Sequence, residues 1–196
     1  MSEKRKLIIA LTGASGAALG VRLLEILKTM DEVEVHLIMS SSAEIVLKDE
    51  MNRDKKDVEK LADVVYAHKN IGAPPASGSF DHDGMIIMPC SIKTLSAIAH
   101  SYSSDLISRS ADVCLKEGRL LLCGLRETPL HSGHLENMLK VSQLGGIIYP
   151  PVPAFYAGEQ SFDEYLTQTA GRVLSRMGFK NTHYRVWAGL GGRSTD

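Results

Sequence analysis

The chain has 196 residues, 44% of them apolar and 23% charged, with a formal net charge of −1. That composition excludes a disordered chain, and near-neutrality excludes the global positive field that draws proteins to nucleic acid or to an anionic membrane surface. No stretch approaches the roughly 18 apolar residues of a membrane span, and Cys90, Cys114 and Cys123 offer neither the spacing of a zinc site nor the even count of a disulfide framework.

The apolar run Leu7 to Leu11 is too short for a secretory leader, so a cytoplasmic protein with reduced thiols is the expectation. Ended by Thr12-Gly13, the run has the pattern of a strand buried on both faces. Ala17 to Met30 follows as a helix, with Leu19, Leu23, Leu24 and Leu27 at helical spacing. Val33 to Met39 reads as the second strand, and a serine of Ser40-Ser41-Ser42 caps a helix through Leu47. Asp49 to Asp63 is highly charged and reads as a solvated helix or loop excursion. Pro74, Pro75 and Gly78 exclude regular structure over Ala73 to Ser79.

Gly84 to Met88 is a third buried strand, broken at Pro89, and Ser91 to Ala99 is helical. Asp105 to Glu117 is a helix, Leu120 to Leu125 a strand, and Pro129 opens a helix through Gln143. Gly146 to Tyr149 is the last strand, and Phe162 to Met177 the closing amphipathic helix. Strands alternating with helices predict an α/β fold, a doubly wound single domain over residues 1–196 with a mainly parallel sheet covered on both faces. No repeat or linker interrupts it.

Ligands of such sheets bind beyond the carboxyl ends of the strands. The residues there are Thr12 to Gly16, Ser40 to Ser42, Pro89 to Thr94, Arg126 to Thr128 and Pro150 to Tyr156. The first loop suits a phosphate: glycines allow close approach, Ser15 offers a hydroxyl, and a helix starting near Gly16 aims free N–H groups outward. The same loop resembles that of short-chain dehydrogenases, but none of the six tyrosines has the required lysine four residues on. His131 and His134 have HxxH spacing with Glu136 nearby, but no third ligand set is evident, and nothing around Cys90 argues for an activated thiol.

Together Thr12 to Ala17, Pro74 to Ser79, Pro89-Cys90-Ser91, Lys93-Thr94-Leu95, Ala111-Asp112-Val113, Leu115-Lys116-Glu117, Arg126 to Leu130, His134 to Leu139 and Pro153 to Tyr156 resemble the UbiX-type flavin prenyltransferases. The segments run in the family's order over nearly the whole chain, with a gap at Asp49 to Ile71. The resemblance implies a flavodoxin-like Rossmann fold and a homododecamer. It implies prenylation of reduced FMN at N5 and C6 from dimethylallyl phosphate, the product serving a UbiD-type decarboxylase.

By motif, Gly13, Ala14, Ser15, Ser40, Ser91, Ile92, Lys93, Thr94 and Arg126 would bind FMN. Ser77, Gly78, Arg109, Lys116, Tyr156 and Arg172, with Arg126 shared, would hold the prenyl phosphate. Ser15, Glu50 and Glu127 would be catalytic. An allylic phosphate ionises when its leaving dianion is stabilised, which converging cations and hydroxyls supply. Arg109 and Lys116, seven residues apart in one predicted helix, share a face.

Each residue also has an ordinary structural reading. Arg109, Asp112 and Lys116 have the spacing of a surface ion network, Arg126-Glu127 that of a strand-end salt bridge, Tyr156 suits an aromatic plug, and Glu50 and Arg172 suit solvated helix faces. The chain departs from the family at Leu125 and Gly118, where proline and arginine are usual, and at Arg185 to Gly189, which replaces Arg-Trp-Gly. Two other functions compete. One is an FMN-dependent decarboxylase of peptidyl cysteine, for which His68 lacks the expected context. The other is a non-catalytic FMN-binding subunit of a decarboxylase.

Overall fold

The computed structural model describes residues 4–189. Its strands are β1 (Arg5–Leu11), β2 (Val33–Met39), β3 (Val64–Ala67), β4 (Gly84–Cys90), β5 (Leu120–Leu125) and β6 (Ile147–Ile148). They form one six-stranded sheet in the order β3-β2-β1-β4-β5-β6, every pair parallel. The helices are α1 (Ala17–Leu27), α2 (Ser41–Met51), α3 (Lys55–Glu59), α4 (Ile92–Ala99), α5 (Leu106–Lys116), α6 (Ser132–Gln143) and α7 (Phe162–Arg176).

The apolar runs of β1 and β4 are buried because helices cover both sheet faces. Leu19, Leu23, Leu24 and Leu27 of α1 and Val173 and Leu174 of α7 share a core with Leu7, Ile9 and Leu11. On the other face Leu95, Ile98, Ile107, Ala111 and Val141 pack with Ile8, Ala10, Ile87 and Cys123. Hydroxyl or carboxylate side chains cap α2 (Ser40), α4 (Ser91), α5 (Asp105) and α7 (Ser161), each accepting a backbone N–H of the first turn. The chain builds outward from β1 to β3, then returns to lay β4 on β1's other side. The topological switch, and the crevice it opens, therefore lies between the carboxyl ends of β1 and β4.

The structure corrects the sequence reading at four places. Within the charged run, α2 continues to Met51 and α3 follows, and directly after the run β3 adds an edge strand. The Pro74–Ala76 segment is a short 3-10 turn. β4 is not broken at Pro89 but runs through it to Cys90, with a register shift against β5. Pro129 does not open the next helix; α6 starts at Ser132, capped by His131, whose Nδ1 accepts Gly133 N–H at 3.1 Å. That duty gives the first histidine of the HxxH pair a structural role. Among the described residues, no helix is long and apolar enough to cross a membrane.

Two buried histidines sit beneath Phe80, outside the crevice. His36 is 2% exposed and His82 5%. Nδ1 of His36 lies 3.0 Å from the Tyr66 hydroxyl and Nε2 lies 2.7 Å from Glu34, and the Phe80 ring contacts both imidazoles. Burial pushes both pKa values down, against Glu34 at His36 and aided by Arg119 at His82. The unfolded chain, with histidines near about 6.5, then binds more protons than the native one, so stability falls as pH drops below that value. A lower urea midpoint is expected at pH 5.5 than at 7.5, and a His36→Gln/His82→Gln variant should show a smaller drop. Equal drops would refute the assignment.

Candidate active site

The loop after β1 reaches the crevice first. Gly13 packs against α2's first turn so closely that an added Cβ would lie 2.2 Å from Cβ of Ser42. Gly16 adopts φ +103°, a conformation that L side chains rarely take. Beyond β4, Ser91 caps α4, accepting Thr94 N–H at 3.3 Å and donating its hydroxyl to Thr94 Oγ1 at 3.1 Å. Beyond β5, Arg126 N–H donates to Cys90 O at 3.2 Å, and its Nε donates to Ser15 O at 3.3 Å. Gly13, Ala14, Ser15, Ser91, Ile92, Arg126, Glu127 and Thr128 thus enclose one cleft of about 310 Å³.

Glu50 comes to this cleft from α2. Its carboxylate accepts Gly16 N–H at 2.9 Å and Ala17 N–H at 3.0 Å. The free amides expected at the start of α1 are therefore held by an internal anion, which satisfies orphan donors and complements the helix dipole. Glu50 is exposed, as its charge-rich surroundings suggest, yet its carboxylate is engaged by the start of α1. Nor do Arg126 and Glu127 pair: the Glu127 carboxylate accepts Thr128 N–H at 2.9 Å. Ser40 uses its hydroxyl on Ala43 N–H at 3.1 Å, and Lys93 stands exposed on the first turn of α4.

Tyrosines extend the same edge. Tyr165 donates its hydroxyl to Pro151 O at 2.6 Å. Burial raises its pKa, while the Thr169 hydrogen bond and the Arg126 guanidinium oppose the rise. Tyr149 is raised in the same way, with Arg172 opposing and Tyr156 adding to the rise. Arg172 lies over the Tyr184 ring at 5.4 Å, and Tyr156 meets Trp187 edge-on at 5.5 Å. Arg126 thus lies within electrostatic reach of the Tyr165 phenol, and Arg172 and Tyr156 of the Tyr149 phenol. Neither Tyr149 nor Tyr165 was singled out in sequence, although Tyr149 directly follows a strand and was legible as an edge residue.

The remaining predicted phosphate ligands gather elsewhere. Arg109 donates Nε–H to Ala76 O at 3.1 Å and pairs with Asp112 at 2.7 Å. Lys116 hydrogen-bonds Glu117, and an added Cβ on Gly78 would lie 2.8 Å from Lys116 Nζ. The Ser77 hydroxyl is 2.8 Å from that of Ser79, and Arg119 holds the carbonyls of Gly78 and Phe80, each at 2.9 Å. Lys116 ends α5 just before β5 begins, whereas Arg126 follows β5's last residue. β5 has six residues, so at ~3.3 Å each the two ends stand roughly 20 Å apart. One chain does not bring Ser77, Gly78 and Lys116 to the cleft of Ser15 and Arg126.

The thiols take no part. Cys90, Cys114 and Cys123 are free and buried. Cys90 is raised well above a usual thiol by its hydrogen bond with Cys123 and by burial, and burial pushes Cys114 up to about 12. Among the described residues, no group of three or more His, Cys, Asp or Glu could hold a metal ion.

The crevice fits a flavin mononucleotide: a glycine-lined backbone, capped helix starts, hydroxyls and one guanidinium converge on it. The profile of the Flavoprotein family matches residues 1–170. A flavin prenyltransferase UbiX from Salmonella typhimurium is 48% identical over 179 residues, 91% of this chain and 95% of that protein. The crystal structure of AnUbiX in complex with FMN and dimethylallyl pyrophosphate superposes with a TM-score of 0.93 at 45% identity, covering 96% of this chain and 100% of that one. A dodecameric FMN-dependent UbiX-like decarboxylase from Escherichia coli O157:H7 does so with a TM-score of 0.92 at 44% identity, covering 94% and 100%.

Proposed function

The chain belongs to the Flavoprotein family and, within it, to the UbiX flavin prenyltransferases, and from that membership we propose how its residues work. It transfers a dimethylallyl group from dimethylallyl phosphate to N5 and C6 of reduced FMN. The observation that carries the residue assignment is Arg126: Nε is anchored on Ser15 O at 3.3 Å, and among the described residues its two Nη groups have no hydrogen bond or ion pair. A guanidinium so placed in the cleft can meet a departing phosphate.

Reduced FMN supplies the electron-rich ring to be alkylated. Gly13, Ala14, Ser15, Ser40 and the Ser91–Thr94 turn hold and orient it. Arg126 and Arg172, with Arg109, Lys116, Tyr156, Ser77 and Gly78, stabilise the leaving phosphate as its charge develops. The half-buried rings of Tyr149 and Tyr165 give part of the rim an aromatic face, which suits an allylic cation. Glu127 takes the proton that N5 loses on alkylation, with the freed phosphate as the other acceptor; closure at C6 needs one proton returned to the prenyl double bond and releases the one on C6. Glu50 fixes the start of α1 and Ser15 beside it.

Because Ser77, Gly78 and Lys116 lie at the opposite edge, a second copy of the chain supplies them, within a homododecamer like the one the Escherichia coli O157:H7 protein forms. The buried, free thiols support a reducing cytoplasm. A UbiD-type decarboxylase takes up the product.

The test is a mass spectrum of the flavin after anaerobic incubation with reduced FMN and dimethylallyl phosphate, with the diphosphate tried in parallel. A gain of one C5H8 unit is expected. Bound but unmodified FMN with both donors would favour the non-catalytic FMN-binding subunit.

A further inference from the structure

We propose that Thr12 is a positioning residue of the flavin site, locking the Gly13–Ser15 loop to the Ser91 turn across the β1–β4 switch point. This rests on the flavin reading of the crevice and adds a residue outside the binding and catalytic sets.

Pairing between β1 and β4 ends at Ala10 and Ile87. Further along β4 comes Pro89, which offers a carbonyl but no N–H. The Thr12 side chain continues the connection past that gap. Its hydroxyl donates to Pro89 O at 2.7 Å and accepts Ser91 N–H at 2.8 Å, while Thr12 N–H donates to the same Pro89 carbonyl at 3.2 Å. The residue is only 2% exposed. Water therefore cannot replace the lost partner freely, and removing the hydroxyl leaves the Ser91 N–H unmatched and Pro89 O with the Thr12 N–H alone. The β-branched side chain has few staggered rotamers, which keeps Oγ1 in place.

The linkage joins two walls of one cavity. Thr12 directly precedes Gly13, and Ser91 is both the cap of α4 and a lining residue of the cleft. Nearby strand ends are tied by backbone bonds, Ser40 N–H to Leu11 O at 3.0 Å and Arg126 N–H to Cys90 O at 3.2 Å. At the switch point the side chain supplies two of three links beside the one backbone bond from Thr12 N–H to Pro89 O, so a single substitution can loosen the walls while the sheet stays intact.

The experiment measures FMN affinity of the folded protein by fluorescence titration for wild type, Thr12→Val and Thr12→Ser, with steady-state kinetics beside it. Thr12→Val is expected to weaken FMN binding at least ~10-fold, the equivalent of about 1.4 kcal/mol. Thr12→Ser, which keeps the hydroxyl, should recover most of it, and KM for dimethylallyl phosphate should hardly move. A merely structural role would lower the melting temperature of both variants and leave the affinity of the folded fraction unchanged, which would overturn the proposal. Should Thr12→Val not accumulate as folded protein, amide exchange of wild type decides. The Ser91 N–H should be protected and gain protection with FMN; exchange at open-loop rates would overturn it. Wild-type protein that takes up no FMN would sink the flavin reading itself, whereas wild-type binding with an unaffected Thr12→Val would sink the proposal alone.

Discussion

Arg126→Met should lower kcat for FMN prenylation by about 10²–10³, or roughly 3–4 kcal/mol of barrier, the cost typical of one preorganised donor to a developing anion. The guanidinium is needed whole. Nε is spent on Ser15 O, so the remaining N–H groups face the cleft in a fixed plane. Arg126→Lys should recover little, because one ammonium cannot hold the loop carbonyl and a phosphate with the same forked geometry. FMN affinity, measured separately, should fall far less than kcat, since the Gly13–Ser15 and Ser91–Thr94 walls persist. Turnover of Arg126→Met within a few-fold of wild type would show that the phosphate leaves without this residue. Equal losses in FMN binding and turnover would make it a loop anchor only.

The part of this site that could be read from sequence is the part built by strand ends. Fully buried parallel strands are continuous apolar runs, so Val33–Met39 and Leu120–Leu125 were bounded as the structure has them. Arg126 to Thr128, which follow the second of these, line the crevice with the residues after β1 and β4, whereas Ser40 to Ser42 do not line it. β3 escaped notice because an edge strand of four residues, half of them exposed, leaves too short a pattern after a charged run. Glu50 and Gly16 meet across 34 positions of chain, a closure that neither local spacing nor propensity encodes. Pro129 misled because proline at a helix start is a common signal, yet His131 supplies the cap two residues on.

The phosphate ligands show a different gap between sequence and structure. Arg109 and Lys116 were correctly given one helix, and Gly78 does lie against Lys116. The element order already held the missing fact. A helix that leads into a parallel strand ends at that strand's amino edge, so Lys116 had to lie opposite Arg126. Motif resemblance gathers residues by function and is silent on which copy of the chain supplies each.

That silence makes a sharp prediction possible. If one copy contributes Ser15 and Arg126 and another contributes Ser77, Gly78 and Lys116, two inactive variants should restore activity when they assemble together. Lys116→Ala keeps the flavin cleft, and Arg126→Met keeps the amino-edge set. Neither homogeneous protein should turn over appreciably. In mixed assemblies of equal proportion, each site draws its two halves independently, so about a quarter of sites receive both intact halves. Co-expressed, differently tagged and doubly purified protein should therefore show about a quarter of wild-type turnover per site. Mixing after separate assembly should give nothing until subunits exchange, so recovery that appears at once without exchange would point to an artefact of the assay. Doubly tagged complexes that stay inactive while binding FMN would place both sets in separate roles and remove the shared site. Within the amino-edge half the cations are already paired: Lys116 rests on Glu117 and Arg109 on Asp112. A phosphate arriving between subunits has to compete with those carboxylates. Glu117→Gln should then lower KM for dimethylallyl phosphate while leaving FMN affinity unchanged, an effect opposite in sign to that of Lys116→Ala.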